Sequence, residues 1–300
     1  MKKLFAALCA CLALCALFAL AAADAAPEIQ YDKWNDFTHT YLNASGEEAE
    51  MQCSVYVPAA YAQQQTLPLI TYIPDSSLVG KAMNTYKRAA CPLNWAKEEK
   101  MAQNPALLLL IRISENSVTV TDDKTETGQL VPIIDSVVAQ FGLDENRLYL
   151  TGQSMGGIMD FALNDQFPDK FAATVYVGCQ MGDEVGDEQY NAVLASAQFA
   201  GQKFVYITSR KDGKAPFGQD DVEQALIDRG IEYGKLYDLD HQSETLNQQV
   251  KDVLDQGFAQ TFFGFAQVTG TGDPAAEHMQ SFKYAYAIDA IYDWLLAQSK

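Results

Sequence analysis

A single serine lies between two glycines where an apolar run ends. The stretch RLYLTGQSMGG places Gly152 and Gly156 two residues on either side of Ser154. A serine hydroxyl becomes a nucleophile when a base removes its proton, and a sharp strand-to-helix turn exposes the Oγ atom. Glycines at both flanks avoid Cβ atoms that would collide in such a turn, and Gly157 would let the helix approach the sheet closely. We therefore predict that Ser154 is a nucleophile; the alternative is a glycine-rich turn with a bystander serine.

Two histidines follow Ser154 and could act as its base. On a turn of this kind the chain order is serine, then acid, then histidine. His278 lies in the small-residue segment GDPAAEHMQSF, which we predict to be the loop between the last strand and the last helix. His241 is the alternative base; otherwise it is an exposed loop residue or a wall of the substrate pocket. His39 precedes Ser154 and is predicted to be an ordinary strand residue.

An aspartate after a buried strand could orient the histidine. The segment KFVYITSRKDGKAP places Asp212 just after a predicted strand. Its carboxylate would accept the Nδ1–H of the base, select the tautomer and stabilise the imidazolium. Asp220 and Asp221 are competing candidates, but we predict that they begin an amphipathic helix as its N-cap and first-turn charge. The predicted acid is therefore Asp212.

The same turn would also supply a donor for an oxyanion. If a helix begins directly after Ser154, the backbone N–H of Met155 lies at the N-terminus of that helix. Unpaired N–H groups and the helix dipole favour negative charge there. One short segment is thus predicted to hold the nucleophile and half of an oxyanion hole.

The elements that must position these residues alternate between strand-like and helix-like patterns. Such alternation predicts an α/β fold with a mostly parallel sheet and helices on both faces. The segments FTHTYLN and MQCSVYV flank a turn at residues 43–46 and predict an N-terminal antiparallel hairpin. Further strands are predicted at 68–73, 106–113, RLYL, FAATVYVG, KFVYITS and TFFGFAQV. Helices are predicted at 127–142, 155–166, 220–230, within 240–257 and, as one terminal amphipathic helix, over FKYAYAIDAIYDWLLAQ.

The first 25 residues have the pattern of a secretory signal peptide. Two lysines precede a long apolar run, which ends in small residues around Ala23 and Ala25. We predict cleavage near Ala26, which leaves 26–300 as a single domain; the alternative is an uncleaved membrane anchor. A lipobox-like Leu-Cys-Ala-Cys lies too early in the apolar run to be favoured.

Charge and cysteine content exclude several kinds of partner and site. The net charge of −18 repels nucleic acid and anionic lipid. After cleavage Cys53, Cys91 and Cys179 remain, which allow at most one disulfide and leave one thiol over. A thiolate metal site is not predicted because the sequence contains no C-x-x-C pair.

Three segments together resemble the α/β-hydrolase superfamily: LYLTGQSMGG, ITSRKDGKAP and EHMQSFKYAY…AIYDWLLAQ. The branch they resemble most contains secreted carboxylesterases, polyester depolymerases and prolyl-oligopeptidase-type enzymes. VYVPAAYAQQQTLPLITYI is similar to the N-terminal strands of that branch, so the resemblance extends from about residue 37 to residue 300. It implies an α/β-hydrolase fold with Ser154 as nucleophile, Asp212 as acid and His278 as base, and no cofactor or metal.

Two segments depart from that branch: the end of the strand in ALLLLIRISENS, where relatives often have Pro-Gln, and the segment after the second buried strand. Members of the branch usually have His-Gly after the second buried strand, where a backbone N–H donates to the oxyanion. This chain has IPDSS there, and Pro74 has no N–H, so the donor would be Asp75 or Ser76. Asp75 also brings a carboxylate near the developing charge, which is unfavourable unless the side chain points away.

The resemblance, together with the signal-peptide pattern, implies a secreted or periplasmic serine hydrolase that cleaves small-molecule or oligomeric esters through an acyl-enzyme. One alternative is a serine exopeptidase of prolyl-oligopeptidase type, disfavoured because no gating domain is visible. The other is a non-catalytic binding protein on a hydrolase scaffold, which the altered Pro74–Asp75 segment motivates. Neither nucleic acid nor, after cleavage, a membrane is an expected partner. Pocket walls are expected from residues 79–94, 115–126 and 182–190, and the oligomeric state and the ester specificity stay open.

Overall fold

One mixed sheet organises the chain. The computed structural model describes residues 29–63, 66–115, 123–179, 194 and 197–300. The strands within these residues are β1 (Lys33–Leu42), β2 (Glu48–Val57), β3 (Leu69–Ile73), β4 (Leu107–Ile111), β5 (Leu148–Gln153), β6 (Ala173–Val177), β7 (Phe204–Ser209), β8 (Gly234–Asp240) and β9 (Gln260–Gln267). Their order in the sheet is β1-β2-β4-β3-β5-β6-β7-β9-β8.

The sheet is parallel except at its N-terminal end. β2 is antiparallel to both β1 and β4, whereas the pairs from β3–β4 to β8–β9 are parallel. All residues of β3 and β4 are buried, as is usual for parallel strands that are covered on both faces. The predicted N-terminal hairpin and mostly parallel sheet are therefore confirmed.

Helices cover both faces of this sheet. Over the described residues they are α1 (Met83–Tyr86), α2 (Ala90–Trp95), α3 (Glu98–Gln103), α4 (Leu130–Phe141), α5 (Met155–Gln166), α6 (Ala197–Gly201), α7 (Ala215–Asp228), α8 (Leu246–Leu254), α9 (Pro274–Ala285) and α10 (Asp289–Leu296). Successive side chains of a strand point to opposite faces. On β7, accordingly, Val205 packs in the core beneath α9 and α10, whereas its neighbour Phe204 packs in the core beneath α5 and α7.

The helix after β7 begins earlier than the sequence pattern indicated. We predicted residues 220–230, but α7 begins at Ala215 and has Pro216 in its first turn. Proline suits that position because the first N–H groups of a helix have no partner within the helix. Asp220 and Asp221 therefore lie inside α7, and the prediction that they begin the helix is wrong. Asp220 instead forms a bidentate ion pair with Arg210 at 2.9 Å.

The terminal helix is divided in two, and His278 lies in a helix rather than in a loop. Asp273 accepts a hydrogen bond from the backbone N–H of Ala275 at 3.1 Å and caps α9, with Pro274 as the first helical residue. The prediction of a loop at His278 is wrong because α9 begins at Pro274. The prediction of one continuous terminal helix is wrong because α9 ends at Ala285 and α10 starts at Asp289. An Asp-Pro pair is a helix-start signal that the sequence already contained.

Two further regions differ from the sequence-based expectation. The edge strand β8 was not predicted, because its pattern is irregular: Gly234 and Leu239 are its buried residues, and Asp238 has a φ of 65°. Residues 79–94, expected as a loop, contain α1 and much of α2.

The thiols of the described residues are unpaired, as three cysteines without a partner pattern allowed. Cys53, Cys91 and Cys179 are buried free thiols. Within the described ranges there is no cluster of His, Cys, Asp and Glu that could hold a metal ion. In those same ranges no helix has the length and apolar character needed to cross a membrane. The predicted signal peptide lies outside the described residues.

Candidate active site

Ser154 is the single residue between β5 and α5. Its φ of 52° and ψ of −119° are strained for a residue with a side chain, and such strain persists only where the surroundings impose it. The backbone N–H of Ser154 donates to Val177 O at 2.9 Å, and its carbonyl accepts from the N–H of Gly157 at 3.0 Å. The sharp strand-to-helix turn expected from the sequence is therefore present.

The flanking glycines are required by close contacts. A Cβ atom on Gly152 would lie 2.3 Å from the carbonyl carbon of Gly156, and one on Gly156 would lie 2.1 Å from Ile73 O. A Cβ atom on Gly157 would lie 1.8 Å from Cys179 Sγ. Each distance is far below van der Waals contact, so only glycine fits. The absence of these side chains lets α5 pack directly against the end of β3.

Three residues predicted from different parts of the sequence meet at this turn. His278 Nε2 lies 3.0 Å from Ser154 Oγ, and His278 Nδ1 lies 2.5 Å from Asp212 Oδ2. The other carboxylate oxygen, Asp212 Oδ1, accepts from the backbone N–H of Lys214 at 2.9 Å. Ser154 and Asp212 are only 7% and 6% exposed. The arrangement can pass a proton from a serine hydroxyl to an imidazole whose other nitrogen is held by a carboxylate.

The other two histidines lie elsewhere. His241 follows β8, where its Nδ1 is 3.2 Å from Gln267 O and its ring is 4.2 Å from the ring of Tyr284. His39 lies in β1, and its Nε2 is 2.9 Å from the side-chain oxygen of Gln129. Of the histidines considered as a base, His278 is thus the one within hydrogen-bond distance of Ser154.

Glu277 immediately precedes His278 and was not singled out from the sequence. Its buried carboxylate accepts hydrogen bonds from Ser209 Oγ at 2.6 Å, Val268 N at 2.7 Å, and Thr269 N at 2.8 Å and Oγ1 at 2.5 Å. Burial by itself would raise the pKa of Glu277, but these hydrogen bonds to the charged form hold that pKa below its ordinary value. One carboxylate therefore ties α9 to the ends of β7 and β9. No local pattern signals this role, because its partners lie at or just beyond the ends of two distant strands.

The segment after β3 lies against the first turn of α5. Asp75 is buried; its Oδ1 accepts from the backbone N–H of Ser77 at 2.8 Å, and its Oδ2 accepts from Gln153 Nε2 at 2.5 Å. Met155 is the first residue of α5, and the first N–H groups of a helix have no partner within it. A Cβ atom on Gly156 would lie 2.7 Å from Pro74 O. The predicted donor segments at Met155 and at Asp75–Ser76 are thus neighbours.

The loops expected to wall a pocket are only partly described. Residues 182–190 lie outside the described residues, and so do residues 116–122 of the second loop. Beyond them, Glu126 accepts from the backbone N–H of Ser114 at 2.5 Å and of Glu115 at 3.1 Å. The carboxylate of Glu126 thus holds the end of the segment after β4.

Comparison with known proteins identifies the fold. No protein-family model matches the chain, and none of the curated proteins matches it. Among solved structures, a thermostable esterase superposes with a TM-score of 0.59 at 18% identity, over 88% of this chain and 63% of that one. A ferulic acid esterase also gives a TM-score of 0.59, at 9% identity over 88% of this chain and 97% of that one. An S-formylglutathione hydrolase from Agrobacterium tumefaciens gives a TM-score of 0.56, at 12% identity over 92% of this chain and 99% of that one.

These similarities define the class of fold. The chain has the α/β-hydrolase fold, as the resemblance of its motifs predicted. It spans less than two thirds of the thermostable esterase, and at such low identities the likeness concerns the fold alone. The branch within the superfamily and the roles of Ser154, Asp212 and His278 stay predictions.

Proposed function

We propose that the protein is a secreted or periplasmic serine hydrolase that cleaves carboxylic esters through an acyl-enzyme. The observation that carries this proposal is the continuous contact from Ser154 Oγ through His278 to Asp212, at 3.0 and 2.5 Å. The proposed base lies within hydrogen-bond reach of both the proposed nucleophile and the proposed acid, which is the arrangement that activates a serine. The esterases and hydrolase named above share its fold, which agrees with this chemistry.

The first half-reaction forms the acyl-enzyme. His278 Nε2 takes the Oγ proton of Ser154 while Oγ attacks the ester carbonyl, and Asp212 stabilises the resulting imidazolium. The backbone N–H of Met155 and that of Asp75 or Ser76 hold the tetrahedral oxyanion. When the intermediate collapses, the C–O bond to the alcohol breaks, and the alcohol leaves with the proton from His278.

The second half-reaction restores the enzyme. His278 removes a proton from water, which attacks the acyl carbonyl and forms a second oxyanion at the same donors. Collapse breaks the bond to Ser154 Oγ, which regains its proton from His278, and the carboxylic acid is released. These steps use only side chains, backbone N–H groups and water, so the proposal includes no cofactor or metal.

The intact mass of the purified protein, with and without a fluorophosphonate probe, tests the proposal. We expect one stoichiometric adduct on the wild type and none on Ser154→Ala. Ser136→Ala is the matched control, because Ser136 Oγ only donates to Ile133 O within α4. No adduct on folded wild-type protein would reject the hydrolase and favour a binding protein on this scaffold.

Substrate class follows from a second assay on the same preparation. We expect hydrolysis of 4-nitrophenyl esters and little release from amino-acid 4-nitroanilides, because an amide leaving group needs more complete protonation. Release from the anilides alone would support the exopeptidase alternative instead. The untreated mass also tests the proposed export: a chain that begins near Ala26 supports a cleaved signal peptide, whereas an intact N-terminus contradicts it.

A further inference from the structure

A groove of about 780 Å³ lies next to the candidate site. Asp75 and Gln153 both line it, and Gln153 is the residue before Ser154. Met279, which follows His278, and Phe282 line it from α9. The Phe282 ring contacts the His278 ring with a centroid distance of 4.9 Å. The groove is therefore bounded by residues adjacent to the proposed nucleophile and base.

The walls of the groove expose large apolar side chains to water. Leu93 and Met279 are 54% and 44% exposed, and Leu78 and Tyr284 also line the groove. Single exposed apolar residues are common, but a concave group of them marks a binding site for an apolar ligand. The groove is thus suited to the hydrocarbon part of a small molecule.

The same groove carries positive charge on a strongly acidic protein. Arg88, Lys97 and Lys283 line it, although the whole chain has 39 acidic and only 21 basic residues. Among the described residues none of the three has an ion pair with a carboxylate: Lys97 Nζ donates to Asn94 Oδ1 at 3.1 Å, and Lys283 Nζ lies 5.3 Å from the centre of the Tyr284 ring.

The one acidic residue in the lining, Asp75, forms no ion pair with these cations. Asp75 is buried, and its two carboxylate oxygens already accept from Ser77 N and Gln153 Nε2. The cations on the groove are therefore available to an anion from solution. Elsewhere the acidic surface repels anions, so an anionic ligand would be attracted selectively to this groove.

We propose that the groove binds the anionic, amphipathic part of the ester that the enzyme cleaves. The hydrocarbon would lie along Leu78, Leu93 and Met279, and the anionic group would face Arg88, Lys97 and Lys283. This inference rests on the proposed function, because the groove adjoins the site where the ester bond would be cleaved. It assigns a substrate class: esters that carry a negative charge on the acyl part or on the alcohol part.

Two pairs of carboxylate probes test this assignment. The first compares 4-nitrophenyl monoesters of dicarboxylic acids with the same compounds whose free carboxylate is methylated. The second compares acetoxybenzoate with its methyl ester, so that the charge lies on the alcohol part. In one of the two pairs we expect roughly tenfold higher kcat/KM for the anionic member at low salt, since exposed charge pairs each contribute a few-fold at most. The preference should decrease as salt is added.

A charge-neutral groove provides the matched test. The triple variant Arg88→Gln, Lys97→Gln, Lys283→Gln should reduce the preference to about one and leave kcat/KM for the neutral member within a factor of about two. The control triple variant Lys33→Gln, Lys203→Gln, Arg229→Gln changes the net charge equally outside the groove lining. It should keep the preference.

The outcomes separate the two proposals. If wild-type protein reacts with fluorophosphonate and cleaves the neutral esters but shows no preference in either pair, the groove assignment is wrong and the hydrolase stands. A preference that survives in the groove variant, or that disappears in the control, also overturns the assignment. If no probe reacts at Ser154, the proposed function fails and the groove assignment fails with it.

Discussion

Ser209 Oγ donates a hydrogen bond of 2.6 Å to the carboxylate of Glu277. Ser209 ends β7, three residues before Asp212, whereas Glu277 lies in α9 directly before His278. The contact therefore fixes the end of β7, which leads to the proposed acid Asp212, relative to α9, which carries the proposed base His278. Because the same carboxylate also holds Val268 and Thr269 after β9, we expect Glu277 to position the Ser154–His278–Asp212 arrangement.

Glu277→Gln should slow the reaction with fluorophosphonate without removing it. An amide has one acceptor oxygen, and its NH2 group would face the donor groups that now bind the carboxylate. The resulting shift of His278 should lower the second-order labelling rate by roughly tenfold to a hundredfold. The downfield NMR resonance of the His278 Nδ1 proton should move or broaden, which a general loss of stability would not cause.

Glu223→Gln is the matched control for that experiment. Glu223 is also buried and accepts from Tyr233 OH at 2.7 Å, Lys235 Nζ at 2.5 Å and Tyr237 OH at 2.8 Å, beside the edge strand β8. We expect this variant to lose stability but to keep the wild-type labelling rate. Equal slowing in the two variants would contradict a positioning role for Glu277.

Asp160→Asn should stabilise the protein at neutral pH. Asp160 is buried in α5, neither carboxylate oxygen has a hydrogen-bond partner, and burial holds its pKa well above the ordinary value. The folded state therefore keeps a proton that the unfolded chain releases above about pH 4. Stability from this group is present at low pH and is lost as pH rises, by up to about 1.4 kcal/mol per pH unit.

Urea unfolding at pH 4 and pH 8 measures this effect. The gain in unfolding free energy of Asp160→Asn should be near zero at pH 4 and clearly positive at pH 8. Asp165→Asn in the same helix is the control; the pKa of that partly exposed group is also raised by burial, but the side chain can reach water, so a smaller gain is expected. A destabilised Asp160→Asn at pH 8 would show that the carboxylate has a charged partner in solution.

Asp75→Asn should increase the rate on a neutral ester. A carboxylate beside the proposed oxyanion donors opposes the developing negative charge, and removing it should raise kcat/KM roughly threefold to tenfold. The fold should tolerate the change, because Gln153 Oε1 has no hydrogen-bond partner and a rotated amide could accept from the new Asn. Hydrolysis of 4-nitrophenyl acetate measures the rate, and the surface variant Asp135→Asn serves as control. A slower Asp75→Asn enzyme would indicate that the charge itself is required.

In protein that begins near Ala26, the thiols of Cys53, Cys91 and Cys179 should be unreactive until the protein unfolds. Burial raises the pKa of Cys53 to about 12 and the pKa values of Cys91 and Cys179 well above their ordinary value. Reaction with a disulfide reagent requires a thiolate and access. We expect no release of chromophore from native protein and three equivalents in denaturant. Two fewer equivalents in denaturant would reveal a disulfide that the folded arrangement does not contain.

Local sequence determined the strand-to-helix turn at Ser154 and much of the sheet. The turn at Ser154 and the helix behind it follow from glycine spacing and apolar periodicity within about fifteen residues, where neighbours in sequence are also neighbours in space. The buried strands β3 and β4 are continuous apolar runs in the sequence because both faces of these strands are covered. Chain order set aside only His39; the choice of His278 over His241 rested on its position between the last strand and the last helix, and the structure brings His278 to Ser154.

The tertiary structure decided the contacts between residues that are far apart in the sequence. The contacts of His278 join residues 66 and 124 positions apart, and Glu277 is held by strands that its own sequence does not indicate. The Asp273–Pro274 pair indicates a helix start in the sequence. That the helix continues through His278 was decided by the packing of α9 on β7. The charged groove arises where α1–α2, α9 and the end of β3 converge, because a sheet brings the ends of strands together that lie far apart along the chain.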